Sequence, residues 1–174
     1  YVAPSILQIP NAREVAVEFN SMSKAYNMGG WRVGVAVGNP EAIGALGTWK
    51  SNMDSGSFQP VLDASAAALT ADQGWLAERN AHYRERRDIV VAGLRDAGLT
   101  ADTPKAAIYV WGRLPERVNE EKYASALLER EGGSVTPGTV FGPSGAGYIR
   151  ISLGTPTDRV REAMGRVKRF DATV

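Results

Sequence analysis

Apolar positions alternate with smaller or polar ones through Val15-Ala16-Val17-Glu18-Phe19-Asn20, the period of a pleated strand. The character changes at Ser21-Met22-Ser23-Lys24, which reads as a loop just beyond that strand, and Gly29-Gly30 follows shortly after. A second strand is predicted over Trp31-Arg32-Val33-Gly34-Val35-Ala36-Val37-Gly38, closing at the turn signal Asn39-Pro40. Two strands do not make a stable sheet unaided. This opening therefore reads as the end of a larger sheet whose other strands lie outside the chain.

Helical patterns follow. Glu41 to Met53 is rich in Ala and Gly, and Asp54-Ser55-Gly56-Ser57 breaks it. Pro60 suits the first turn of a helix running through Val61 to Thr70. From Asp72 to Gly98 a long pattern sets Trp75, Leu76, Tyr83, Val90, Val91 and Leu94 against Arg79, Arg84, Glu85, Arg87, Asp88 and Arg95. That arrangement predicts a solvated amphipathic helix stopped at Gly98.

The last third reads as an α+β unit. Strands are predicted over Ala107 to Gly112 and Gly147 to Leu153, and helices over Glu120 to Arg130 and Asp158 to Phe170. Thr157 is the expected N-cap of the final helix, whose apolar residues Val160, Ala163, Met164, Val167 and Phe170 keep to one side. Gly132 to Gly147, rich in Gly and Pro, reads as loop. His82 falls on a charged helix face and reads as a surface histidine, and Trp31, Trp49, Trp75 and Trp111 read as packing residues.

Composition narrows the function classes. The 174 residues include 20 Lys and Arg against 19 acidic residues, so the net charge of +1 leaves no broad footprint for nucleic acid or an anionic membrane. The absence of cysteine excludes disulfide scaffolds and cysteine-zinc sites, and a single histidine excludes a multi-histidine metal centre. No apolar run approaches the length of a membrane span. The start, Tyr1-Val2-Ala3-Pro4, lacks the regions of a signal peptide, so the expected compartment is the cytoplasm.

The chemistry concentrates around Lys24. A lysine held in a partly dry pocket serves as a nucleophile towards carbonyl carbon. The hydroxyls of Ser21 and Ser23 and the guanidinium of Arg32, past the Gly-Gly flex point, suit a phosphate. A carbonyl compound bearing a phosphate fits both halves of that description, and pyridoxal phosphate is the candidate. A solvated loop lysine is the commoner reading of such a residue by itself. Ser21-Met22-Ser23-Lys24 also matches the S-x-x-K signature of acyl-serine enzymes, but the S-D-N and K-T-G elements that chemistry needs are absent. No G-x-x-x-x-G-K-[ST] occurs, and Gly142-Pro143-Ser144-Gly145-Ala146-Gly147 has the wrong order for G-x-G-x-x-G.

The segment Asn20-Ser21-Met22-Ser23-Lys24-Ala25-Tyr26-Asn27-Met28-Gly29-Gly30-Trp31-Arg32-Val33-Gly34 closely resembles the cofactor-lysine motif of the fold-type I, class I/II aminotransferases. The likeness continues through Ser51-Asn52-Met53-Asp54-Ser55-Gly56, Ile108-Tyr109-Val110-Trp111 and Tyr148-Ile149-Arg150-Ile151-Ser152-Leu153-Gly154, and within the family it is most similar to the alanine and LL-diaminopimelate aminotransferase branch. The resemblance implies an α/β fold, the C-terminal portion of the fold-type I pyridoxal-phosphate-dependent transferases. Residues 1–78 would end the large, cofactor-binding domain, and residues 79–174 would form the connecting helix and the small α+β domain.

The resemblance also implies roles. Lys24 would hold pyridoxal 5'-phosphate covalently and shuttle a proton between the substrate Cα and cofactor C4′. Arg32 and Ser21 would bind the cofactor phosphate, with Ser23 as a helper. Arg150 would grip the substrate α-carboxylate, and Asn52 would lie in a loop approaching the neighbouring subunit's active site. The partners implied are an L-amino acid, a 2-oxo acid such as 2-oxoglutarate, the missing N-terminal half, and a second copy in a homodimer, with neither nucleic acid nor membrane. Arg150 has a separate argument: strand alternation puts Ile149, Ile151 and Leu153 on one face and leaves Tyr148, Arg150 and Ser152 on the other, where a planar fork can hold a carboxylate.

Relative to the family, the N-terminal phosphate loop, the aromatic that stacks on the pyridine ring and the groups that hold its nitrogen are absent. The chain is therefore expected to be half of an enzyme, inactive alone, with exposed sheet edges and apolar surface. Other chemistry on the same scaffold (elimination or acyl transfer) and a non-catalytic interaction domain remain as alternatives.

Overall fold

The computed structural model describes residues 1–170, and the last four residues of the range expected for the small domain, 171–174, lie outside the described residues. The chain folds as two compact units, residues 2–72 and the residues from 73 onward.

In the first unit a short helix α1 (Ala12–Val15) leads into β1 (Val17–Ser21), a single helical turn α2 (Met22–Ala25), β2 (Gly34–Gly38), and two longer helices, α3 (Pro40–Met53) and α4 (Gln59–Thr70). β1 and β2 pair antiparallel, with Val17 opposite Gly38 and Ser21 opposite Gly34. The ladder closes where Asn39 N–H donates to the Ala16 carbonyl at 2.9 Å. Gly38 is required there: its φ is +146°, and a Cβ would meet the Ala16 oxygen at 2.2 Å. Asn39 then caps α3, its Oδ1 accepting from Ala42 N–H at 2.8 Å, with Pro40 in the first turn.

Three local expectations change. Val15 belongs to α1 rather than the strand, because Ala16 N–H closes a helical turn onto the Ala12 carbonyl at 2.8 Å. Trp31 and Arg32 do not enter β2. Gly29–Trp31 form a 3-10 turn and Arg32 takes a left-handed φ of 53°, which ends any pleat. Ser21-Met22-Ser23-Lys24, expected as loop, is the end of β1 and the start of α2. Phe19 and Val37 sit on opposite faces of the two-stranded sheet and remain 71% and 45% exposed, the apolar surface expected of an incomplete sheet.

The second unit contains α5 (Trp75–Asp96), β3 (Thr100–Ala101), β4 (Tyr109–Arg113), α6 (Glu120–Glu131), β5 (Thr136–Pro137), β6 (Tyr148–Ser152) and α7 (Thr157–Arg169). The strands form an antiparallel sheet in the order β3-β4-β6-β5. Ile149 and Ile151 of β6 and Val110 of β4 enter one core with Val90 and Leu94 of α5, Leu127 of α6, and Val160 and Val167 of α7. Helices α5 and α7 approach closely at Gly93, where a Cβ would lie 2.7 Å from Met164 Cβ. Gly98, at φ +81°, turns the chain out of α5.

Here too the structure corrects details. Pro156, not Thr157, occupies the cap position of α7, and the Thr157 hydroxyl instead accepts from Arg86 Nε at 3.2 Å. The Gly132 to Gly147 stretch is an ordered excursion holding β5 and two 3-10 turns, Gly138–Phe141 and Pro143–Gly145. The four tryptophans are not core residues, since all are exposed, at 38–60%. Among the described residues no helix is long and apolar enough to cross a membrane.

Candidate active site

The first group of candidate residues surrounds α2. Met22 is fully buried and its backbone is tied on both sides: its N–H donates to Val33 O at 3.2 Å, and its carbonyl accepts from Met28 N–H at 3.3 Å. Burying Met22 and Met28 pins the turn and leaves Ser21, Lys24 and Arg32 on its exposed side. Ser21 caps α2, its Oγ accepting from Ser23 N–H at 3.2 Å. Lys24 is the third residue of that turn.

The segment between α2 and β2 is conformationally unusual. Asn27 and Arg32 both have positive φ, 56° and 53°, in one short excursion. Side chains rarely adopt that region, and such strain concentrates at functional sites. The left-handed turn folds Arg32 back, so that its Nη1 donates to the Gly29 carbonyl at 2.9 Å and the guanidinium is held against the segment that carries Lys24. The donor set fits pyridoxal phosphate on its chemistry: a primary amine for an aldehyde carbon, two hydroxyls and a guanidinium for a phosphate dianion.

Asn52 is placed differently from the expectation. It is not in a loop but in the last turn of α3, where its Nδ2 donates to the Thr48 carbonyl at 2.7 Å. The side-chain amide bonds back onto its own helix, which extends the helix through Met53. The break comes at Asp54, which leaves helical geometry.

The second group is built on the outer face of the four-stranded sheet. Ile149 and Ile151 point into the core, so Tyr148, Arg150 and Ser152 take the opposite face, as alternation predicts. Arg150 sits opposite Trp111 of β4 and Thr136 of β5. Its guanidinium carbon lies 4.1 Å from the Tyr109 ring centroid and 4.0 Å from that of Phe141, a cation between two rings. Its Nε is buried and has no hydrogen-bond partner. A buried, unpartnered cationic donor is costly, and an oxyanion ligand removes that cost.

Phe141 and Tyr109 are the residues that sequence reasoning missed. Tyr109 was legible in principle, since it shares its strand face with Trp111. Phe141 carried no local signal, because it reaches the sheet only through the path of the 138–147 excursion. It also meets Trp111 edge to face, with centroids 5.5 Å apart. Beside this cluster an open groove of about 280 Å³ is lined by Tyr109, Trp111, Tyr148, Arg113, Thr100, Asp102 and Pro104. Among the described residues no group of three metal-ligating side chains occurs.

Both groups fall within a stretch that matches known proteins. The chain is 47% identical over 163 residues to an LL-diaminopimelate aminotransferase of Oleidesulfovibrio alaskensis, a match covering 94% of this chain and 42% of that protein. It is 48% identical over 169 residues to an LL-diaminopimelate aminotransferase of Moorella thermoacetica, covering 97% and 43%. Among solved structures it resembles a probable N-succinyldiaminopimelate aminotransferase from Thermus thermophilus, with a TM-score of 0.90 and 38% identity over 96% of this chain and 45% of the other. An aminotransferase from Staphylococcus aureus gives a TM-score of 0.89 at 37% identity, covering 95% and 44%. The chain thus spans less than half the length of the relatives it matches. A family model described as aminotransferase class I and II matches residues 5–167, and the chain belongs to that family.

Proposed function

We propose that this chain supplies the lysine, phosphate-anchoring and carboxylate-gripping parts of a pyridoxal-phosphate-dependent aminotransferase. The complete enzyme moves an amino group from an L-amino acid of the LL-diaminopimelate or alanine type to a 2-oxo acid such as 2-oxoglutarate. The observation that carries this reading is the family match over residues 5–167, which includes the whole segment from Ser21 to Arg32 and Arg150. Residues 1–78 then belong to the cofactor-binding large domain, and 79–174 to the connecting helix and small domain. The complete assembly is a homodimer.

When bound, pyridoxal phosphate supplies an electron-accepting ring that stabilises negative charge at the substrate Cα. Arg32, Ser21 and Ser23 hold its phosphate, the guanidinium through charge-assisted bonds and the hydroxyls as neutral donors. Lys24 would hold the cofactor through Nζ, and as a free amine it would take the proton from the substrate Cα. Arg150 would bind the substrate α-carboxylate through its planar donor set. Anchoring of the phosphate keeps the cofactor in place while one substrate leaves and the next arrives.

The test is a titration of the chain with pyridoxal phosphate followed in the visible range, then borohydride reduction and peptide mapping. Covalent label on Lys24 alone supports the reading. Label scattered over Lys50, Lys105, Lys122 and Lys168 denies this chain a cofactor pocket of its own.

A further inference from the structure

The Arg150 guanidinium is held between two rings, and only one of them, Tyr109, is placed by the neighbouring strand. The other, Phe141, ends the 3-10 turn Gly138–Phe141 and owes its position to the loop. That loop has a closed neck. A Cβ on Gly138 would meet the Gly145 oxygen at 2.1 Å, and one on Gly145 would meet the Gly138 oxygen at 2.0 Å, so the two backbones touch. Gly138 also lies against the Tyr148 carbonyl, and β5 just before it pairs with β6, so the neck is seated on the strand that carries Arg150.

A second attachment, to helix α6, is Glu120. This first residue of α6 is only 6% exposed, an unusual burial for a carboxylate. Its Oε2 accepts from Gly147 N–H at 3.1 Å, directly before β6, the strand of Arg150. The Thr139 hydroxyl, on the other arm of the loop, approaches the same helix end, 3.4 Å from Oε1 of the neighbouring Glu121. Helix α6 is itself fixed at this end by Asn119, whose Oδ1 accepts from Glu121 N–H and Lys122 N–H at 3.1 and 3.0 Å. Glu120 therefore ties a capped helix to the returning arm of the loop that carries Phe141, and its neighbour Glu121 meets the outgoing arm.

We infer that Glu120 is a positioning residue for Arg150: by clasping the 138–147 loop to α6 it holds Phe141 over the guanidinium and so sets the plane in which Arg150 presents its N–H donors to a carboxylate. This rests on the reading of Arg150 as the carboxylate grip. Stacking fixes the tilt of the guanidinium while leaving its in-plane donors for an oxyanion. A salt-bridge partner would occupy those donors instead.

The experiment follows the Arg150 Nε–H resonance in the 15N-labelled chain, assigned by its loss in Arg150→Lys, while 2-oxoglutarate is titrated in. Two rings near 4 Å give that proton a ring-current shift that a solvated arginine lacks. In Glu120→Ala the resonance should move towards the solvated position and 2-oxoglutarate should bind about fivefold more weakly. Glu120→Gln, which keeps an acceptor for Gly147 N–H, should retain both, and Phe141→Leu should reproduce Glu120→Ala. Methyl signals of Ile149 and Val167 report that the core is intact. A folded Glu120→Ala with the wild-type Arg150 resonance overturns the inference. Where that variant does not fold, an unmoved resonance in Phe141→Leu overturns it equally. A wild-type Arg150 signal that ignores 2-oxoglutarate overturns the carboxylate role instead, and the position of the resonance still decides the clasp.

Discussion

Arg150 and Phe141 are stacked, guanidinium carbon to ring centroid 4.0 Å, although they lie on a strand and a loop with no ladder between them. The contact holds the planar guanidinium of a flexible side chain against the ring. Lysine keeps the charge but not the plane. In an enzyme completed with the remaining half, Arg150→Lys should raise KM for the amino acid about tenfold or more and change kcat less, because in the proposed role the group would bind substrate without taking part in proton transfer. Steady-state kinetics separate the two parameters.

Ser21 caps α2 and, in the proposed role, would also meet the cofactor phosphate through the same oxygen. It caps α2 by accepting from Ser23 N–H, and its hydroxyl hydrogen remains to donate to a phosphate. Ser21→Ala should lower local stability by about 1 kcal/mol and weaken pyridoxal phosphate binding. Ser21→Asp, which restores a cap but adds negative charge, should recover stability and weaken the cofactor further. Thermal melts with and without pyridoxal phosphate distinguish the two effects.

Glu120 makes stability depend on acid. Its own N–H and that of Gly147, followed by the Thr139 hydroxyl, hold its carboxyl below the ordinary 4.5, outweighing burial, which acts in the other direction. The folded carboxyl thus binds its proton less readily than the unfolded one, and its contribution is complete above pH 4.5 and lost as pH falls through the lower folded value. Urea unfolding at neutral pH and at about pH 3.5 should show a smaller loss on acidification for Glu120→Gln than for wild type.

Backbone contact at the loop neck predicts intolerance. Gly145→Ala places a methyl 2.0 Å from the Gly138 oxygen, where only backbone can give way. The expected destabilisation is about 3 kcal/mol. Chemical denaturation measures it, and displacement of Phe141 should shift the Arg150 Nε–H resonance at the same time.

The first unit presents Phe19, Trp49 and Phe58 at 71%, 60% and 74% exposure. Surfaces of that kind bind hydrophobic dyes and promote association. The chain should enhance anilinonaphthalene sulfonate fluorescence at neutral pH, and Phe19→Ser with Phe58→Ser should reduce the signal while costing no more than about 1 kcal/mol of stability in a urea titration.

Much of this architecture was legible in the order of residues. The final helix is plain from Val160, Met164 and Val167, and the orientation of Arg150 from its place between Ile149 and Ile151, because each depends only on a local period. The Lys24 segment was legible as a family motif but not as conformation. Nothing local requires Arg32 to be left-handed, and the pattern favoured continuing the strand through it. At Asn52 the local pattern, a helix to Met53 broken at Asp54, matches the structure, and the loop placement implied by the resemblance does not, since the amide bonds back to Thr48 within α3.

By itself the sequence determined the family, the identity of the lysine, hydroxyl and arginine groups, and the faces of the main strands and helices, since these depend on residue type and on periods a few residues long. Tertiary structure decided what those groups touch. The Phe141 stack on Arg150 and the grip of Glu120 on Gly147, 27 positions away, arise from chain segments brought together only when a shared core is buried. No local spacing encodes such a meeting, because the burial of Ile149, Leu127 and Val167 that enforces it is non-directional and belongs to the whole unit.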